Sequence, residues 1–214
     1  MLDINDTWHY YLQMIIHSIF PTPVYFSKLK RKFTKKELDF VDKNKQNIFA
    51  NEGNVTSLDT YVLNKKEFKN LKNELMIYVK EYFDKVISTT DEIEPYITQS
   101  WLNYTKEKEF HHAHEHPNSY LSAVFYFDAD ANNDKIKFHK MGYQTIVPTV
   151  KEYNHYNSLA WFFPVETGDL IIFPSHLSHR VEFKKGTNTR ISLAFNIFIK
   201  GKVGSTKALT ELIL

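Results

Sequence analysis

The chain has no cysteine, and only six glycines, seven prolines and four methionines among its 214 residues. The missing thiols exclude disulfides, thiolate metal ligands and cysteine nucleophiles together, so any bound metal must be held by His, Asp or Glu. An excess of either charge is missing too. The 27 basic and 25 acidic side chains leave +2, which provides no basic field for nucleic acid or a membrane surface. Long apolar runs are also lacking. The stretch from Tyr10 to Phe20 is interrupted by Gln13 and His17, and Asp3 and Asp6 precede it without an early Lys or Arg. That pattern is neither a signal peptide nor a membrane span, so a soluble cytoplasmic protein is expected.

Aromatic residues are plentiful: 13 Tyr and 17 Phe contribute to a hydrophobic share of 43%. This favours a β-rich core, and the length suits one domain over 1–214. Two helices are predicted in its first part. One covers 35–48 behind Thr34 as N-cap, with Leu38, Val41 and Ile48 on one face. The other covers 67–87, where Phe68, Leu71, Leu75, Val79 and Tyr82 follow helical spacing. From Tyr96 onward short apolar runs alternate with turn residues, predicting strands near 97–105, 120–128, 134–139, 143–150, 158–163, 169–174, 178–183 and 189–199. The expected architecture is mostly β with supporting helices: a double-stranded β-helix, or jelly roll, with the N-terminal helices packed on one sheet. Residues 1–95 would supply helical support and N-terminal strands, 96–200 the jelly-roll core and 201–214 a tail.

Four of ten histidines fall at 111, 112, 114 and 116. On an extended segment 112, 114 and 116 share a face and His111 points away. Two imidazoles and one further donor form a facial set that leaves metal positions open, as in non-haem iron(II) oxygenases. The distant donor is His179 or its neighbour His176, both following the apolar run Asp169 to Pro174. Arg190 lies eleven residues beyond His179, and Ser192 shares its strand face. A guanidinium in an otherwise apolar strand needs an anionic partner, and a carboxylate suits its fork. The register His112/His114 remains open beside His114/His116. Trp161, Phe162 and Phe163 could line a substrate mouth or belong to the core.

These residues resemble the iron(II)- and 2-oxoglutarate-dependent oxygenase superfamily, through His114-x-His116, then His179, then Arg190-x-Ser192. Five segments are similar, in order, to a group of oxygenases of bacteria and marine phages in the prolyl-hydroxylase-like branch: Phe20-Pro-Thr-Pro, Trp101-x-Asn103, His114 to Ser122, Gly168 to Ser175 and Arg190 to Asn196. The resemblance favours His114 and His116 over the shifted register. It implies Fe(II) held by His114, His116 and His179, and 2-oxoglutarate as cosubstrate bound through Arg190, Ser192, Tyr126 and Tyr104. Asn103, Ser122 and Asn196 would stand behind the ligands. Its implied reaction couples oxidative decarboxylation of 2-oxoglutarate by molecular oxygen to hydroxylation of a substrate, in the host cytoplasm for a phage protein. His116 departs from the pattern, which has a carboxylate there. The competing readings are a cupin-like three-histidine metalloenzyme that does not use 2-oxoglutarate, and a non-catalytic jelly-roll protein.

Overall fold

The computed structural model describes residues 16–142 and 146–214. Most of the stretch Tyr10 to Phe20, and positions 143–145 of the predicted strand 143–150, therefore lie outside the described residues. Helix α1, Lys35–Asn44, begins at a reciprocal cap. The Thr34 hydroxyl accepts from the Glu37 amide at 3.3 Å while the Glu37 carboxylate accepts from the Thr34 amide at 2.7 Å. Its buried face is Glu37, Val41 and Asn44, so Leu38 is exposed, and the helix stops before Ile48, which opens strand β2. Helix α2, Lys69–Tyr82, buries Leu71, Leu75, Val79 and Tyr82, and continues into a wider turn at Phe83–Ile87.

Twelve strands are described: β1 Tyr25–Lys28, β2 Ile48–Ala50, β3 Val55–Ser57, β4 Ile93–Thr105, β5 His111–His114, β6 Leu121–Asp128, β7 Lys135–His139, β8 Ala160–Pro164, β9 Asp169–Pro174, β10 His179–Val181, β11 Arg190–Val203 and β12 Leu212–Ile213. They form two antiparallel sheets. The larger runs β1-β9-β6-β11-β4-β3-β2 with β12 added to β11; the smaller runs β5-β10-β7-β8. Together they make the jelly roll, and residues 201–214 return along β11 instead of trailing away.

The large sheet is covered on both faces, and strand alternation sorts its side chains. Leu193, Phe195 and Ile197 of β11, Phe125 of β6, Leu170 and Ile172 of β9 and Leu102 of β4 turn toward α2 and form one core with Leu71, Leu75 and Val79. Their neighbours Tyr126, Ile171 and Phe173 turn the other way, toward Ile136 and Phe138 of the small sheet. The functional side chains discussed below lie between the sheets.

The predicted strand at 143–150 does not form over 146–150. Pro148 has no amide to donate, and the place beside β7 is taken by β8, which pairs with it from Lys135↔Pro164 to His139↔Ala160. Among the described residues no helix is long and apolar enough to cross a membrane.

Because Leu75 is fully buried between α2 and the large sheet, Leu75→Ala should lower unfolding stability by about 2–5 kcal/mol. Urea denaturation would show this as a lower midpoint with an unchanged slope.

Candidate metal centre

Strand register brings the histidines together. His179, first residue of β10, is the direct partner of His114, last residue of β5. Just beyond β5, the His116 amide donates to the Ser175 carbonyl at 3.0 Å, which returns the chain toward the end of β9. One ring nitrogen from each of His114, His116 and His179 lies within 4.8 Å of the others.

The hydrogen bonds behind the rings determine what they present. His114 Nδ1 is 2.9 Å from the His112 carbonyl, His179 Nδ1 is 3.1 Å from the Leu177 carbonyl, and His116 Nδ1 is 2.6 Å from Asn196 Oδ1. Each partner is an acceptor, so each Nδ1 carries the proton and each Nε2 keeps its lone pair. Burial disfavours the charged ring in all three. It holds His114 down to about 4, lowers His116 against the opposing Asn196 bond, and holds His179 well below its ordinary value, with His114 and His116 adding to the effect. Three neutral imidazoles with their outer nitrogens tied are a donor set for a divalent first-row metal.

The anion side is built on β11. Arg190, Ser192 and Asn196 share its inward face, and their cross-strand partners are Thr105 for Arg190, Tyr126 and Asn103 for Ser192, and Ser122 for Asn196. Arg190 is 2% exposed. Its Nη2 donates to the Thr105 hydroxyl at 3.2 Å, while Nε and Nη1 have no protein partner. Burial lowers the guanidinium pKa, opposed by Tyr126 and by the carboxylate of Asp134. A narrow cavity of about 30 Å³ is lined by His114, His116 and His179 together with Tyr126, Arg190 and Ser192.

Tyr104 is not in this cavity. It faces the helices, where its hydroxyl donates to the Val41 carbonyl at 2.7 Å. On β4 the alternation gives the inner face to Asn103 and Thr105 instead. Asn103 accepts from the Thr56 hydroxyl at 3.0 Å and lines the cavity. Ser122 bonds the Ser175 hydroxyl at 2.8 Å and Asn196 at 3.4 Å, and Ser175 bonds Ser119 at 2.9 Å. These hydroxyls hold Asn196 and, through it, His116.

His111 also departs from expectation. The pairs His179↔His114 and Val181↔His111 put three steps of β5 opposite two of β10, and this bulge re-aims the His111 ring. The ring stacks on His114 at 4.4 Å instead of pointing away. Thr105 and Ser175 were missed by sequence reasoning; strand parity with Asn103 was the available signal for Thr105. His176 stays exposed at a groove rim. Phe163 packs on Phe26 and Phe138 in the small-sheet layer, away from the histidines.

Two open grooves reach the histidines from outside. One, of about 490 Å³, has Asn51, Thr56, Gln99 and Trp101 in its wall. The other, of about 730 Å³, runs past Val86, Ile87 and Tyr120, and the two meet along Glu115 to Asn118.

No curated protein sequence matches the chain. Solved structures share its fold. An oxidoreductase of the 2OG-Fe(II) oxygenase family from Burkholderia pseudomallei is 15% identical with a TM-score of 0.54, covering 81% of this chain and 83% of that one. HygX from Streptomyces hygroscopicus, solved with nickel and 2-oxoglutarate bound, is 10% identical with a TM-score of 0.57, covering 82% of each chain. A Pseudomonas putida prolyl-4-hydroxylase is 11% identical with a TM-score of 0.50, covering 82% of this chain and 92% of that one. The profile of the family described as "Putative 2OG-Fe(II) oxygenase" matches residues 99–196. The matched segment begins in β4 and ends in β11, the strands that frame the histidine group, so the chain resembles this family over the part that carries the candidate site.

Proposed function

We propose that the chain couples oxidative decarboxylation of 2-oxoglutarate to oxidation of a substrate, with His114, His116 and His179 as the metal ligands and Arg190, Ser192 and Tyr126 as the receptor for the far carboxylate. The observation that carries this reading is Arg190: a buried guanidinium with two unpartnered nitrogens, in the same cavity as three neutral imidazoles. A buried charge without a partner is strongly unfavourable, and a dicarboxylate reaching from metal to arginine supplies one. When bound, iron(II) supplies the oxygen-activating chemistry; the residues orient the cosubstrate and keep water from it. Ser192 and Tyr126 add hydroxyl donors beside the guanidinium, and burial pushes the Tyr126 phenol up, so it stays protonated. The substrate would enter from the grooves that meet at Glu115 to Asn118. A cytoplasmic setting and molecular oxygen as co-reactant belong to the same proposal.

The ligand set has no carboxylate. Among the described residues, no Asp or Glu joins His114, His116 and His179 in a metal-sized group. The donors still fit iron(II), since the two negative charges of 2-oxoglutarate take the place of the missing one. A metalloenzyme that ignores 2-oxoglutarate would share the three histidines but would have no use for Arg190.

Anaerobic addition of Fe(II) and 2-oxoglutarate should therefore produce a weak visible charge-transfer band. In Arg190→Ala the 2-oxoglutarate Kd should rise by roughly 30-fold or more, the loss expected on truncating one partner of a buried charge pair, with metal binding retained. Full 2-oxoglutarate turnover by this variant would overturn the carboxylate assignment, and a metal-loaded wild type without the band would favour the second reading. Asn196→Ala frees the His116 ring and should weaken metal binding by roughly 10- to 100-fold, whereas Asn196→Asp, which keeps an acceptor, should lose less. Isothermal titration with Co(II) distinguishes these outcomes.

A further inference from the structure

We propose a second, outer metal station made by His111, His112 and His114. It would take a divalent first-row cation and alternate with the inner group, because both groups draw on the same nitrogen of His114. One ring nitrogen from each of these three residues lies within 4.8 Å of the others, the same criterion that the inner group meets. The rings are gathered: His111 stacks on His114 at 4.4 Å, and His112 lies 5.2 Å from His111 and 5.0 Å from His114, centroid to centroid. Regular alternation would separate 111 from 112 and 114. The β5 bulge opposite β10 brings all three to one side.

The free valences match a cation. Asn51 Nδ2 donates to His111 Nε2 at 2.9 Å, so the lone pair of that ring is on Nε2, and a cation bound there would take the place of the Asn51 donor. His112 Nδ1 is buried with no hydrogen-bond partner, and the exposed Glu52 carboxylate stands 4.0 Å from it. Three imidazoles with a carboxylate at the rim make a donor set suited to Co(II), Ni(II), Zn(II) or Fe(II). His114 Nδ1 is committed to the His112 carbonyl, so only its Nε2 lone pair remains, and that bonds one ion at a time.

The stations also differ in access. His111, His112 and His114 all line the groove of about 490 Å³, whereas His179 is 5% exposed and does not reach it. An ion arriving from solvent meets the outer set first and passes inward by exchanging partners around His114.

The test uses the full-length apoprotein under anaerobic conditions with Co(II) alone. Wild type should bind one equivalent; two would overturn the alternation. His179→Ala should still bind one Co(II), more weakly than wild type, and adding His112→Ala should raise that Kd at least tenfold. If His179→Ala binds none, or if the added His112→Ala changes nothing, the outer station does not exist and any residual binding belongs to His114 and His116. Running the pair again with His116→Ala, at a less buried position, guards against a folding defect of His179→Ala. In an otherwise wild-type chain, His112→Ala should slow Co(II) uptake in stopped flow while leaving the final affinity unchanged; an unchanged rate would overturn the role in entry. No 2-oxoglutarate is present in these measurements, so their failure and failure of the cosubstrate assignment are separately visible.

Discussion

The alternation of β11 is the constraint on which the rest depends. Its outward residues Leu193, Phe195 and Ile197 are fully buried against the helices, and they hold the strand in the middle of the large sheet between β6 and β4. A one-residue slip would send Arg190, Ser192 and Asn196 into that apolar layer. The register that satisfies the core is therefore also the register that delivers a guanidinium, a hydroxyl and an amide to the space between the sheets. Stability and function share a single geometric condition.

Charge explains why that space needs the helices and the second sheet around it. Three neutral imidazoles contribute no negative charge, and Arg190 adds a positive one. The nearby buried pair of Lys184 and Asp134, 3.6 Å apart, is neutral as a unit. A metal-loaded cavity is thus strongly positive in a low-dielectric setting, where an anionic ligand is held more strongly than at a surface. On the proposed reading, a 2-oxoglutarate dianion would offset most of the charge of a divalent ion and Arg190, and a carboxylate ligand in place of His116 would leave less positive charge to offset. Asn196 serves the His116 imidazole directly, since its amide oxygen gives that ring an acceptor at 2.6 Å.

Much of this was legible in the sequence. Strand periodicity located β4, β6, β9 and β11 because each alternates or runs apolar between turn residues, and the arginine stood out as a charge in an apolar strand. What was not legible depended on irregularity or on distant partners. Regular alternation puts His111 on the wrong side, because the β5–β10 bulge leaves no mark in hydropathy. The resemblance points to Tyr104, whereas strand parity puts Asn103 and Thr105 inward and Tyr104 toward the helices. Leu38 looked like core by spacing, yet the buried face of α1 is held by Glu37 through the cap and its Arg31 partner, at 2.8 and 3.0 Å. The run Ile146 to Val150 has strand composition, but a neighbouring strand already fills the place beside β7.

The pairing of β5 with β10 has a mechanical consequence. Strand β10 is only three residues long, and its first residue lies opposite the last residue of β5. An ion held by His114, His116 and His179 would fasten this short pair, and binding to the folded form alone stabilises it by mass action. Without the ion the β5 edge of the small sheet is held through its short pairing with β10, the kind of segment that opens locally before a domain unfolds. Metal release and fraying of this edge would then be the same event, and slow amide exchange along β10 would report the loaded state.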